Sequence, residues 1–184
     1  MKSSEAQLIK GCCQGDRESQ RELYQRYSAG MLMVSIRFSK NREDAEDILQ
    51  EAFIKVFKNI KDFKQQSTLG YWIKRIVVNT ALNFQRGKLY LFPMVELDDQ
   101  SNIPVSDQAL ANCSLQELTK MIQSLPDGCQ VIFNLYAIEG YKHSEIAKML
   151  KVSEGTSKSQ YARAKNLLKQ MISRASNINY EKYQ

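Results

Sequence analysis

Apolar residues recur at intervals of three and four along almost the whole chain, the spacing of helices that bury one face. The clearest case is residues 44–60, D-A-E-D-I-L-Q-E-A-F-I-K-V-F-K-N-I, where Ala45, Ile48, Leu49, Ala52, Phe53, Val56, Phe57 and Ile60 form one stripe within a helix expected over 41–60. Upstream, the pattern predicts a short helix over 5–13, stopped near Gly15. A longer helix follows, capped by Asp16 and carrying Leu23, Tyr24, Tyr27, Met31, Val34 and Phe38. A polar loop at 61–68 leads to a fourth helix over 69–86, with Leu69, Trp72, Ile73, Ile76, Val77, Thr80 and Phe84 inward. Between Gly87 and Asp107 the periodicity fails. Pro93, Asp98, Asp99, Ser101, Asn102 and Pro104 interrupt any regular element, so the stretch reads as a linker. Helices resume over 106–125, 129–139, 144–150 and 154–173, and residues 177–184 read as a frayed tail. The predicted architecture is all-α, two small helical domains at 1–88 and 108–176 joined by a flexible acidic linker at 89–107.

Charge sharpens this division. The formal net charge is +6, a surplus too modest to specify a polyanionic partner, but its distribution is uneven. Residues 1–86 hold 15 Lys/Arg against 10 Asp/Glu, residues 87–115 hold 1 against 4, and residues 116–184 hold 10 against 6. Two basic lobes therefore flank an acidic strip. Against that background the polar face of 44–60 is unusual: Asp44, Asp47, Gln50 and Glu51 surround Ile54, an acidic patch with an aliphatic centre that suits a basic protein partner.

Other chemistry is sparse. No apolar run approaches the roughly 18 residues of a membrane span, and the N-terminal residues lack the apolar stretch of a secretory signal, so a cytoplasmic protein outside the membrane is expected. Cys12, Cys13, Cys113 and Cys129 form no C-x-x-C pair, and His143 is the only histidine. Metal-ligand spacing is therefore missing, and the cysteines read as reduced thiols, with Cys129 buried. No metal, cofactor, catalytic residue or small-molecule substrate is expected.

Two segments point to nucleic acid. The run H-S-E-I-A-K-M-L-K-V-S-E-G-T-S-K-S-Q-Y-A-R-A-K-N-L-L-K reads as a helix-turn-helix: Ile146, Ala147 and Leu150 point inward, a four-residue turn follows, and Ser153 caps a second helix. Gly155 leaves its first turn open to a phosphate, and Lys158, Ser159, Gln160 and Arg163 read as outward groups able to bond bases or phosphates. Ser157 stands where a core-facing aliphatic is expected, which predicts looser docking of this helix. In the N-terminal half, Arg75, Asn79, Asn83 and Arg86 share the outer face of the 69–86 helix, beside a loop of Phe63, Lys64, Gln65, Gln66, Ser67 and Thr68. Cations and amides beside a flexible polar loop suit an unpaired base and its phosphates. Trp72, within the apolar stripe, reads as a core anchor.

These elements, in this order, resemble a known family. The acidic helix D-A-E-D-I-L-Q-E-A-F-I-K-V-F is followed by Phe63, then W-I-x2-I-x2-N. After the linker come L-P-x4-V-I-x2-L and E-I-A-x2-L-x-V-S-x-G-T-x-K-S. The series closely resembles the sigma-70 family, specifically the two-domain extracytoplasmic-function (ECF, group IV) sigma factors, over about residues 5–172. The resemblance implies a sigma2-like domain, a sigma4-like helix-turn-helix domain and a role in transcription initiation. It implies that Asp44, Asp47, Gln50, Glu51 and Phe53, with Ile54 among them, grip the clamp helices of core RNA polymerase. It implies that Phe63, Lys64, Gln65, Gln66, Ser67, Arg75, Asn79 and Arg86 open and hold the minus-ten promoter element. Ser153, Thr156, Lys158, Ser159, Gln160 and Arg163 are then expected to serve the minus-thirty-five element, and an anti-sigma factor is an expected further partner. Ser157, Gln160 and Ala162 depart from the aliphatic, basic and His residues common in the family.

Rival classes explain less. A stand-alone helix-turn-helix repressor leaves the acidic helix unexplained and requires a dimer surface. A DNA-cutting enzyme requires a nucleophile with clustered arginines or a metal-holding carboxylate set, and Asp44 with Asp47 lacks a third ligand.

Overall fold

The computed structural model describes the backbone of residues 3–89 and 113–181 and the side chains of 3–85 and 113–175. The expected linker over 89–107 lies outside the described residues apart from Leu89, as do the domain start at 108 and the side chain of Arg86. The chain divides into two compact units, Met1–Gly87 and Lys88–Gln184.

The first unit is built from α1 (Glu5–Cys13), α2 (Arg17–Phe38), α3 (Arg42–Asn59), a single 3-10 turn (Ile60–Asp62) and α4 (Leu69–Leu89). Each of the first three helices starts where a side chain can take an orphan amide. Ser4 and Gln7 form a capping box, the Asp16 carboxylate accepts from Ser19 N at 2.8 Å, and Asn41 Oδ1 accepts from Asp44 N at 2.7 Å. Gly15, at φ 78°, supplies the left-handed turn that ends α1. The core comprises Leu8, Leu23, Val34, Phe38, the α3 stripe, Ile60, and Leu69, Ile73 and Val77 of α4.

Two details depart from the sequence pattern. Phe84, expected inward, is 38% exposed, whereas Val78, Ala81, Leu82 and Gln85 are buried. Burial of Val78, Ala81 and Leu82 moves the stripe of α4 toward Gln85, whose amide donates to the Phe38 carbonyl, one of the unpaired carbonyls at the end of α2. Tyr24, expected inward, is partly exposed and sets its ring edge-on to Phe53 at 4.7 Å. Trp72 is half-buried against Phe63, ring centroids 5.3 Å apart.

The second unit contains α5 (Leu115–Ser124), α6 (Asp127–Phe133), a π-turn (Asn134–Ile138), α7 (His143–Leu150) and α8 (Glu154–Glu181). A Ser114–Glu117 capping box opens α5, and Pro126 precedes α6. Ile122, Leu125, Cys129, Ala164 and Leu168 form the core, with Phe133, Leu167 and Met171 packed around it. The predicted helix over 129–139 begins earlier, at Asp127, and passes into the π-turn. The predicted 154–173 helix runs on to Glu181, since no Gly or Pro after Gly155 stops it. The tail expected to fray from 177 is thus helical through 181. Among the described residues there is no strand, no helix long and apolar enough to cross a membrane, and no group of three or more His, Cys, Asp or Glu able to hold a metal. None of the four cysteines is joined in a disulfide, and burial pushes the Cys12 thiol up to about 11.

Gly11 marks the tightest approach in the first unit, where a Cβ would lie 2.7 Å from Ser19 Cβ. Gly11→Ala should therefore lower stability by about 1–3 kcal/mol, measured as a fall in the urea midpoint with an unchanged m-value.

Candidate polymerase and nucleic-acid interfaces

Packing of α3 determines what it shows to solvent. Ala45, Ile48, Leu49, Ala52, Phe53 and Val56 are buried, which turns Asp47, Gln50, Glu51 and Ile54 outward and leaves Asp44 half-buried at the helix start. Ile54 is 67% exposed. A large aliphatic held in water among carboxylates has no use in the core of this unit. Phe53 is the correction to this set: at 2% exposure it lies beneath Tyr24 and cannot be touched by a partner without unfolding. Its place in the i, i+4 stripe with Leu49 already indicated this.

Sequence reasoning missed Lys55. Its Nζ pairs with Glu51 Oε1 at 2.6 Å and donates to Thr80 Oγ1 at 3.3 Å, tying the acidic face to α4. The signal was the i, i+4 Glu–Lys spacing.

The second surface follows from the start of α4. Thr68 Oγ1 accepts from Tyr71 N at 3.3 Å, which fixes where loop becomes helix. Phe63 is half-buried on Trp72, anchoring the loop, while Lys64, Gln65, Gln66 and Ser67 are all exposed. Gln65 adopts φ 55°, a left-handed conformation that costs a non-glycine residue about 1–2 kcal/mol. Arg75 and Asn79 are exposed on the outer face of α4, one turn apart. The same edge carries Tyr71, which the sequence reading passed over. It is 50% exposed, one turn before Arg75, and offers a ring face to a base.

The third surface is the helix-turn-helix of α7 and α8. Lys151 closes α7 in the left-handed region at φ 56°, and only residues 151–153 separate the helices, one fewer than expected. Ser153 caps α8: its Oγ accepts from Thr156 N at 2.9 Å and lies 2.8 Å from Thr156 Oγ1. These two hydroxyls are thus engaged in the cap. Lys158 pairs with Glu154 at 2.8 Å, Ser159 Oγ donates to the Thr156 carbonyl, and Arg163 is half-buried at the edge of the face.

Gln160 is the second correction. It is 7% exposed and accepts from Cys129 Sγ at 3.0 Å, so it belongs to the core and not to the reading face. Opposite the buried stripe of Ser157, Gln160, Ala164 and Leu168, a rotation of about 100° per residue places Gly155, Lys158, Ser159, Ala162 and Asn166 together. Gly155 is exposed and a Cβ there would meet only Ser153 Oγ, at 3.5 Å. Nothing within the unit requires glycine at this position.

Phe53→Ala should cost about 3–5 kcal/mol of stability, seen in chemical denaturation. A variant as stable as the wild type would return Phe53 to the docking surface.

Comparison with known proteins identifies the family of both units. Residues 23–88 match the family model "Sigma-70 region 2" and residues 115–168 match "Sigma-70, region 4". The chain is similar to the ECF RNA polymerase sigma factor SigM of Mycobacterium tuberculosis, 29% identical over 92% of this chain and 85% of that protein. It is also similar to the ECF RNA polymerase sigma-E factors of Haemophilus influenzae (26%, covering 90% and 93%) and Escherichia coli K12 (27%, covering 88% and 90%). Among solved structures, the sigma factor RpoE of Bartonella quintana, in complex with the anti-sigma factor NepR, superposes with TM-score 0.52 at 19% identity, covering 83% of this chain and 96% of that one, a likeness of fold. Two sigma-70 regions in this order, with relatives that align over nearly the whole chain, make this protein a member of the sigma-70 family, an ECF RNA polymerase sigma factor.

Proposed function

We propose that the chain is a group IV sigma factor that docks on core RNA polymerase through the outer face of α3 and directs initiation at promoters read by its two units. The observation that carries this is Ile54, 67% exposed between Asp47, Gln50 and Glu51 on a helix whose other side is fully packed. The exposed loop at 63–68, with Tyr71, Arg75 and Asn79, receives unpaired bases of the minus-ten element. The outer face of α8 and Arg163 enter the duplex at the minus-thirty-five element, with Lys158 exchanging Glu154 for a phosphate. The factor works by binding and is not an enzyme. It acts in the cytoplasm, where an anti-sigma factor that covers α3 competes with polymerase.

Magnitudes make polymerase necessary. Opening on the order of ten base steps costs about 14 kcal/mol. Specific protein–DNA contact supplies about 11–15 kcal/mol in all, already committed to holding the duplex. Bases are therefore captured once polymerase has bent and clamped the DNA. Permanganate footprinting should show thymine reactivity with core and factor together and none with the factor alone; reactivity with the factor alone would remove this dependence.

Run-off transcription from a candidate promoter, with core polymerase plus or minus the factor, tests the proposal directly, and a transcript requiring both is the expected result. Asp47→Lys combined with Glu51→Lys should abolish core binding by more than about 100-fold, two desolvated charge contacts being lost and two repulsions gained. Circular dichroism should be unchanged, since both side chains face solvent. A variant that still forms holoenzyme would place the docking face elsewhere.

A further inference from the structure

In the second unit the recognition helix is held by polar side chains where aliphatic packing is expected. Ser157 is fully buried, and its hydroxyl lies 2.8 Å from His143 Nδ1 on α7. The imidazole is itself fixed: it stacks on Tyr136 of the π-turn, centroids 4.1 Å apart and planes 12° apart, with Tyr161 of α8 at 5.8 Å. A second bond, from buried Cys129 of α6 to buried Gln160, lies one turn further along the same stripe of α8. Apolar contacts allow a helix to slide or roll at small cost, whereas a buried hydroxyl that loses its partner is penalised in every other rotation. The looser docking predicted from Ser157 is thus replaced by a directional one.

We propose that His143 is a positioning residue for minus-thirty-five recognition: through Ser157 it sets the rotation of α8 and so decides which of its side chains face the base edges. The inference rests on the reading of α8 as the promoter-reading helix. His143 does not touch DNA in this scheme. Its effect is on discrimination between sequences, because a rolled helix keeps its charge and its phosphate contacts but misplaces Ser159 and Ala162.

The link is also pH-sensitive. With Nδ1 unprotonated, the Ser157 hydroxyl donates to it. Protonation makes Nδ1 a donor, so the hydroxyl must accept, leaving its own hydrogen in a buried site. Glu154, Lys158 and Tyr161 of α8 and Tyr136 of the π-turn face the ring, and Lys142 and Glu145 stand beside it in its own helix start. Burial, then the charge of Lys158, holds His143 below its ordinary value, against the opposing pull of Glu154. The folded unit therefore binds fewer protons than the unfolded one. The link is complete above the ordinary imidazole pKa of about 6.5 and is lost as pH falls through the lower value that His143 has in the folded unit.

A double-mutant cycle in the reconstituted holoenzyme tests this, with upstream duplex DNA selected by the wild-type holoenzyme from a randomised pool as probe and a scrambled duplex as control. His143→Phe keeps the stacked ring and strands the hydroxyl; it should reduce the preference for the selected duplex roughly tenfold. Ser157→Ala, which strands only a half-exposed ring nitrogen, should cost less. The double variant should recover to within about twofold of the wild type, since neither partner is left unsatisfied. Lowering the pH until His143 protonates, which its lowered pKa places below the ordinary imidazole value of about 6.5, should erode the wild-type preference and leave that of the double variant flat.

Additive losses in the cycle, or loss of thermal stability with discrimination and pH profile unchanged, would overturn the positioning role. If the wild-type holoenzyme selects no upstream sequence, the promoter-reading role of α8 fails and this inference with it. A normal selection with no His143 effect removes this inference alone.

Discussion

What α3 shows to solvent depends on how the helix is rotated in its unit, and that rotation is set by packing; the proposed docking on polymerase follows from it. A helix has one circumference, and burying Ala45, Ile48, Leu49, Ala52, Phe53 and Val56 uses nearly half of it. Each large aliphatic or aromatic side chain taken from water is worth about 1.5–3 kcal/mol. The partly exposed Glu51–Lys55 pair is worth about 0.2–1 kcal/mol. Apolar burial therefore orients the acidic face, and the ion pair only steadies it. The same rotation that hides Phe53 presents Ile54, so docking and stability draw on adjacent residues with opposite requirements.

Lys55 gives the first unit a second property. It lies between the docking face and α4, paired with Glu51 on one side and bonded to buried Thr80 on the other. Thr80 follows Asn79 directly, so the helix proposed to receive unpaired bases is tethered to the helix proposed to dock on polymerase. The two surfaces are parts of one packed body, which suits a protein whose base capture is useful only after docking.

The second unit solves the orientation problem differently. Its recognition helix is held by Gln160 on Cys129 and Ser157 on His143, bonds that are directional and that commit to the interior two residues otherwise able to reach DNA. What remains at the centre of the outer face is modest in size, Gly155, Ser159, Ala162 and Asn166, with the longer Lys158 and Arg163 at the margins. Small side chains let the backbone of α8 approach closely, and the open space around Gly155 belongs to that arrangement.

The sequence by itself determined the helical architecture, the order of the helices, the caps at Asp16 and Ser153, and the acidic character of the α3 face. All of these depend on contacts within a few residues, which spacing and side-chain type dictate. It also carried the family resemblance, since several motifs stand in register along one chain. Only the tertiary structure decided the rotation of each helix to within a residue. Phe53 and Gln160 are polymerase- and DNA-facing by motif but buried in fact, and Phe84 is apolar but partly exposed. Lys55 and His143 acquire meaning only from neighbours on other helices. The reason is physical: periodicity marks a stripe about 100° wide, and residues at its borders are assigned by hydrogen bonds across the core, such as Gln85 to Phe38 and Ser157 to His143, whose partners are distant in sequence.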